Sequence, residues 1–179
     1  YIFLFILFGA FLSRLGAAEI YVRLAVAAAG TQRGGPAKAA IFASAMTGTI
    51  TGSANANIVT TGTITIPLMK RAGFKPEVAA GIETGASTGG QIMPPVMGAA
   101  AFLIVEFTGI PYWEIVKVSI LPAILYFFSV FLIVHFEAVK EGLQGLPREL
   151  VPRVWPILKE GGIFLIPPIL IFVMIMYRW

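Results

Sequence analysis

The sequence predicts an all-α, polytopic membrane protein with a re-entrant helical hairpin and a discontinuous transmembrane helix. Three observations carry that prediction. The first is composition. Of 179 residues, 58% are hydrophobic and only 12% charged, with a mean hydropathy of +0.87, whereas soluble domains carry about 25% charged residues. The second is the interval between Lys38 and Lys70, which contains no charged residue yet holds the small polar cluster Thr47-Gly-Thr-Ile-Thr-Gly-Ser-Ala-Asn-Ala-Asn57. The third is a further interruption of apolar sequence at Ser87-Thr-Gly-Gly-Gln-Ile-Met-Pro-Pro95. Lipid cannot hydrogen-bond hydroxyls, amides or loosened backbone, so both interruptions must face protein, water or an ion.

The elements follow in order. Residues 1–36 read as the end of a transmembrane helix and a connecting helix. The apolar run 1–12 is too short to span alone, which takes about 20 residues. It begins at Tyr1 without an initiator Met or a signal n-region, so the expectation is a piece of a longer polypeptide. Arg14 follows, then an Ala-rich stretch, 16–29, whose Glu19 and Arg23 suit an interfacial helix. Gly34-Gly-Pro36 opens a turn and permits a new helix start.

Residues 37–72 read as the re-entrant hairpin. Two full crossings need about 40 residues and one needs about 20, and the charge-free interval fits neither. Basic residues flank both ends, Arg33 and Lys38 before, Lys70, Arg71 and Lys75 after, which puts both on the cytoplasmic side. The solution is an inward arm over 39–49, a non-helical tip over 51–57 and a return arm over 58–69. Residues 76–110 read as one outward crossing in two halves, 77–86 and 96–107, broken at 87–95, where Pro94 and Pro95 remove two donors and Gly89-Gly90 relaxes the backbone. Residues 112–136 return as a transmembrane helix. Residues 137–160 form a cytoplasmic loop with four basic and four acidic residues. Residues 161–179 start the next part as a final span, kinked at Pro167-Pro168 and anchored by Arg178-Trp179.

The polar cluster at 47–57 admits three readings. Its polar residues fall at every second position, as in a barrel strand, but the neighbouring runs have helical length. It could be a plain helix whose hydroxyls bond its own carbonyls. It could instead be a hairpin tip whose hydroxyls, amide oxygens and freed carbonyls hold a hard monovalent cation. The stretch 87–95 is either a proline kink or a true break. In a break, the carbonyls of the first half attract a cation and the N–H groups of the second half attract an anion. Glu83, the one acid deep in this crossing, is a carboxyl satisfied by neighbouring Ser or Thr, a side chain near the cytoplasmic edge, or a proton relay. Glu106 and His135 fall near membrane edges.

Other classes fare badly. Without Cys there is no disulfide framework or thiolate chemistry. A single histidine excludes a His cluster within the chain, and no catalytic triad or phosphate loop is legible, so an enzyme is not expected. The net charge of +4 is too scattered for nucleic acid. No second polar face runs along a full span, which weighs against a channel.

These residues resemble the large membrane subunit of tripartite ATP-independent periplasmic (TRAP) transporters, specifically the fused permeases associated with TAXI-class binding proteins. The stretches that carry the resemblance are Arg33-Gly-Gly-Pro-Ala-Lys38, Gly52-Ser-Ala-Asn-Ala-Asn57, Thr60-Thr-Gly62, Ile66-Pro-Leu-Met-Lys-Arg71, Ala86-Ser-Thr-Gly-Gly-Gln-Ile-Met-Pro-Pro-Val-Met-Gly98 and Gly145-Leu-Pro147. They cover nearly the whole chain in order. The resemblance implies an elevator-type transporter of two inverted repeats, of which this chain holds the first. It implies a multi-pass protein of the bacterial inner membrane that imports a small solute, an organic anion by expectation. A periplasmic TAXI-type binding protein would deliver the solute, with the small-subunit helices fused in the full chain and sodium as coupling ion without other cofactor.

On that resemblance the cation site comprises Gly52, Ser53, Asn55, Asn57, Ser87, Thr88, Gly89, Gly90 and Met93, with Ser53, Asn57 and Thr88 as sodium ligands. Asn55, Thr61, Gln91, Pro94 and Pro95 lie on the substrate side. Asn55 stands where the family pattern implies a small apolar residue, so it either tunes the ion site or faces substrate. The alternative is proton coupling through Glu83.

Overall fold

A computed structural model describes residues 2–177, and the side chains in that range other than those of residues 2, 5 and 6. Helix α1 spans Ile2–Arg14 and α2 spans Ala17–Ala29. The hairpin arms are α3, Gly35–Thr51, and α4, Ala54–Arg71. Helix α5 covers Pro76–Gly89 and α6 Ala99–Thr108. The long α7 runs Tyr112–Lys140, followed by α8, Val154–Gly161, and α9, Ile166–Met176, with short 3-10 turns at Arg148–Leu150 and Gly162–Leu165. No strand occurs among the described residues, which disposes of the barrel reading. Two stretches, Tyr112–Lys140 and Arg148–Met176, are long and apolar enough to cross a membrane. The fold is that of an all-helical membrane protein.

The hairpin turns more tightly than the sequence suggests. Only Gly52 and Ser53 lie outside helix, so Asn55 and Asn57 belong to the first turn of α4. Two residues suffice because their conformations are complementary. Gly52 caps α3 in the left-handed region, φ 56°, and its N–H bonds Gly48 O at 3.1 Å. Ser53 is extended, and its hydroxyl accepts from Ala56 N at 3.4 Å as the cap of α4. The arms run antiparallel. Ser44 meets Asn57 near the tip, while Ala40 and Ile41 join Met69 in one apolar cluster at the base.

Alanines let α2 lie along α3: Val22, Ala25 and Val26 pack with Ala39 and Ala43. The base of the hairpin and α5 are held by Met69, Phe74 and Ala79, against Val134 and Ala138 of α7.

Several boundaries move. The break in the crossing falls at residues 90–98 rather than 87–95, because Ser87 to Gly89 complete the last turn of α5. Helix α7 continues one turn past 136, to Lys140. The segment 137–160 is not all loop. Its α8 buries Ile157 with Ile20 and Tyr21 of α2, and Arg23 pairs Glu160 at 2.9 Å, so an amphipathic turn gains burial that a loop would forgo. Pro167 and Pro168 start α9 instead of kinking it, since the first helical turn has no N–H partner to lose. The anchor at Arg178-Trp179 and the side chain of Tyr1 lie outside the described residues.

Candidate functional site

The two interrupted segments meet. Residues 51–55 of the hairpin tip and Gln91, Val96, Met97, Gly98, Ala99 and Phe102 of the break line one open cavity of about 300 Å³. Contact is close enough to require glycine. A Cβ placed on Gly52 would stand 1.7 Å from Met97 O, and one on Gly48 would stand 2.5 Å from Gly90 Cα. The cavity lies where α3 ends and α4 and α6 begin, with α5 ending just before Gln91. Helix C-terminal carbonyls favour cations and N-terminal N–H groups favour anions, so the arrangement offers both at one place.

The predicted residues separate into three groups. Gly52, Ser53, Asn55 and Gln91 line the cavity, with Asn55 and Gln91 exposed to it. Asn57, Ser87, Gly90 and Thr61 instead form a buried polar cluster between α3, α4 and α5. There Asn57 Nδ2 donates to Ser44 O at 2.9 Å, and Ser87 Oγ lies 3.5 Å from Ser44 Oγ. The third group turns elsewhere. Thr88 Oγ1 donates to its own helix at Thr84 O, 2.8 Å. Gly89 faces the Tyr126 and Phe127 rings of α7. Met93 lines an apolar groove with Phe42, Phe127 and Phe131. Pro94 and Pro95 are buried, and Pro95 O lies 3.0 Å from the Tyr112 hydroxyl, which also donates to Val96 O at 2.6 Å.

Many hydroxyls bond their own helices, as the plain-helix reading anticipates. Thr49 donates to Met46 O at 2.6 Å, Thr51 to Thr47 O at 3.2 Å, and Thr60 to Ala56 O at 2.8 Å. Each such oxygen keeps a lone pair for another partner. Thr47 Oγ1, one turn from the cavity-lining Thr51, is buried with no hydrogen-bond partner. The carbonyls of Ser87, Thr88 and Gly89 accept from Gly90, Gln91 and Ile92 N–H at 3.1–3.2 Å, so the broken end is a tightened turn with one lone pair per oxygen left.

Glu83 has the Ser and Thr neighbours that its satisfied-carboxyl reading expects, and it is not at an exposed edge. Its side chain is wholly buried and bonds Thr61, Thr65 and Ser87. Glu106 is exposed near the end of α6, and His135 is half-buried with Nδ1 unpartnered. Sequence reasoning missed Ser44, Gly48 and Thr65. The spacings Thr61/Thr65 and Glu83/Ser87, four apart on helices, would have marked two facing polar stripes.

The family described as "Tripartite ATP-independent periplasmic transporter, DctM component" matches residues 1–179. The chain belongs to the DctM family. Relatives include the C4-dicarboxylate TRAP transporter large permease protein DctM of Pseudomonas aeruginosa, 28% identical over 80% of this chain and 33% of its own length. The protein of the same description in Vibrio cholerae is 40% identical over 51% of this chain and 20% of its length. That of Rhodobacter capsulatus is 34% identical over 51% and 21%. This DctM-family chain thus spans a fifth to a third of the curated relatives it matches.

Proposed function

We propose that this DctM-family chain is part of the permease of a sodium-driven secondary transporter that imports a small solute, of organic-anion chemistry, across the bacterial inner membrane. The observation that carries the reading is the shared cavity of hairpin tip and helix break. Its donors are oxygens: Ser53 and Asn55 side chains, tip carbonyls, and beside it the unpartnered Thr47 hydroxyl and the amide of Asn57. Among the described residues no carboxylate lines the cavity, which suits a weakly held monovalent ion released in every cycle. Thr88 would contribute through its carbonyl, and Ser87, Gly89, Gly90 and Met93 through the backbone that shapes the break. Asn55 and Gln91 stay on the substrate side, where the start of α6 supplies N–H groups for an anion, while buried Thr61, Pro94 and Pro95 act only through the backbone and packing behind the cavity. Joint binding of ion and solute shifts the relative energies of outward and inward states.

The named relatives are large permeases of TRAP systems for C4-dicarboxylates. By that kinship the partners are a periplasmic binding protein, of TAXI class on the sequence resemblance, and small-subunit helices. The test is thermal unfolding of the full-length parent in sodium against potassium at equal ionic strength. A ligand at one hundred times its Kd stabilises by about 2.7 kcal/mol, a readable shift in midpoint. A sodium-specific rise that shrinks in Asn57→Ala is expected. No sodium effect, with a pH-dependent midpoint sensitive to Glu83→Gln, would replace sodium with protons.

A further inference from the structure

We infer that Glu83 is a positioning residue that holds the return arm α4 in register on α5, and through it the hairpin tip against the helix break. The inference rests on the proposed cation site and deepens it.

A carboxyl buried at this depth is expensive unless partnered, and among the described residues Glu83 forms no ion pair. Its partners are hydroxyls. Thr61 donates to Oε1 and Thr65, one helical turn on, donates to Oε2, both at 2.5 Å. Ser87, one turn along α5, donates to Oε1 at 3.2 Å. Two donors on two different oxygens fix both the rotation and the axial position of α4. A slip of one residue moves the helix about 1.5 Å and turns it about 100°, which breaks both bonds at once.

The clamp reaches the tip. Thr61 Oγ1 also lies 2.8 Å from Asn57 O, one turn nearer the tip, and Asn57 Nδ2 donates to Ser44 O on α3 at 2.9 Å. With the one Thr61 proton on Glu83, it is the helical turn of α4 from Asn57 to Thr61 that joins the α5–α4 bonds to the α4–α3 bond. Apolar packing accompanies these bonds but does not reach the tip. The apolar contacts between α4 and α5 centre on Met69 and Ala79 at the base of the hairpin, with partly buried Ile66 and Ile82 beside Thr65 and Glu83 and buried Ala86 continuing the cluster along α5. Towards the tip the buried residues of the two helices are Asn57, Thr61, Gly62, Thr65, Glu83, Ser87 and Gly89, with Ala86 the apolar side chain among them. Hydrogen bonds have directional geometry that methyl groups lack, and buried polar groups of this kind set register in other helical assemblies.

The experiment compares Glu83→Gln, Glu83→Leu and Thr65→Val in the full-length parent by amide hydrogen exchange and sodium-driven uptake. Glutamine keeps an acceptor for Thr61, and its amide donates to Thr65, whose own proton can pass to Thr61 O at 3.0 Å. Leucine keeps bulk and loses both bonds. The expected result for Glu83→Leu is exchange at residues 50–58 faster by about fivefold or more, with α7 unchanged. The sodium half-saturation should rise about tenfold, equivalent to about 1.4 kcal/mol. Thr65→Val should move both readouts in the same direction by less, and it decides the question if Glu83→Leu does not fold. Glu83→Gln should stay within about twofold of the parent in both.

Unchanged exchange at the tip in Glu83→Leu and Thr65→Val would overturn the inference, because packing alone would then set the tip. Glutamine behaving like leucine would also overturn it, because the charge or proton of the carboxyl would then matter and not its position. An unmodified parent without sodium dependence would remove the cation reading, and the exchange arm would still decide the clamp.

Discussion

The hairpin with its broken helix and the long helix α7 solve opposite problems. Helices α3 to α5 bury Ser44, Thr47, Asn57, Thr61, Thr65, Glu83 and Ser87. Helix α7, at 29 residues, buries Val116, Ala123, Val134 and Ala138 and leaves Val118, Leu121, Ile124, Leu125 and Phe128 exposed. In water the second pattern would be a liability; in a bilayer it costs nothing, and the first pattern is the expensive one. Polarity in such a protein therefore marks where structure must be specified, and apolarity marks where the solvent is.

Four substitutions in the full-length parent sharpen or break that contrast. The largest effect belongs to Gly52→Ala, which combines a left-handed backbone with a Cβ in collision with Met97 O. A loss of roughly 3 kcal/mol or more and abolished uptake are expected. Calorimetry and uptake together check this, and a stable, active variant would show that the tip does not seat on the break. Gly48→Ala comes next, since its Cβ meets the Gly90 backbone and over-packing costs about 1–3 kcal/mol. Its thermal midpoint should fall in sodium and potassium alike, which separates packing from ion binding.

Asn57→Ala removes a buried bond to Ser44 O. It should cost about 1–2 kcal/mol, and under the proposed sodium site any sodium-specific rise in the thermal midpoint should be smaller than in the parent. Leu121→Ala, on the exposed face of α7, should change stability by less than about 0.5 kcal/mol. A cost of several kcal/mol there would show that another element covers this face and would blur the contrast.

Much of this was legible in the sequence, for physical reasons that differ by element. The helical class followed from long apolar runs, and the two hairpin arms from a charge-free interval with basic flanks. The sequence predicts a seven-residue tip where the structure has two, because polar spacing does not reveal that Ser53 caps a helix as soon as Gly52 ends one. Residues 154–161 looked like loop because their burial depends on Ile20 and Tyr21, more than 130 residues earlier. Pro167-Pro168 reads alike as a kink or a start, and only the preceding 3-10 turn at Gly162–Leu165 decides it. The lining of the candidate cavity was legible in part. Gly52, Ser53, Asn55 and Gln91 gather as a local pattern suggests, whereas Ser44 and Thr65 are unremarkable until α3 and α4 are placed against α5.

The segment after α7 has a role in the chain's mechanics. Leu146 N–H bonds Gly30 O at 2.8 Å, at the turn that precedes the hairpin, and the Tyr21 hydroxyl donates to Phe164 O at 2.6 Å. With the Arg23–Glu160 pair and Ile157 seated on Ile20 and Tyr21 between those points, the stretch is fastened along α2 and the turn after it, like a strap drawn back across the foot of the hairpin. It cannot pay out slack as a tether would. Any travel of the hairpin relative to α9 must either carry α2 and its strap along or unfasten them first.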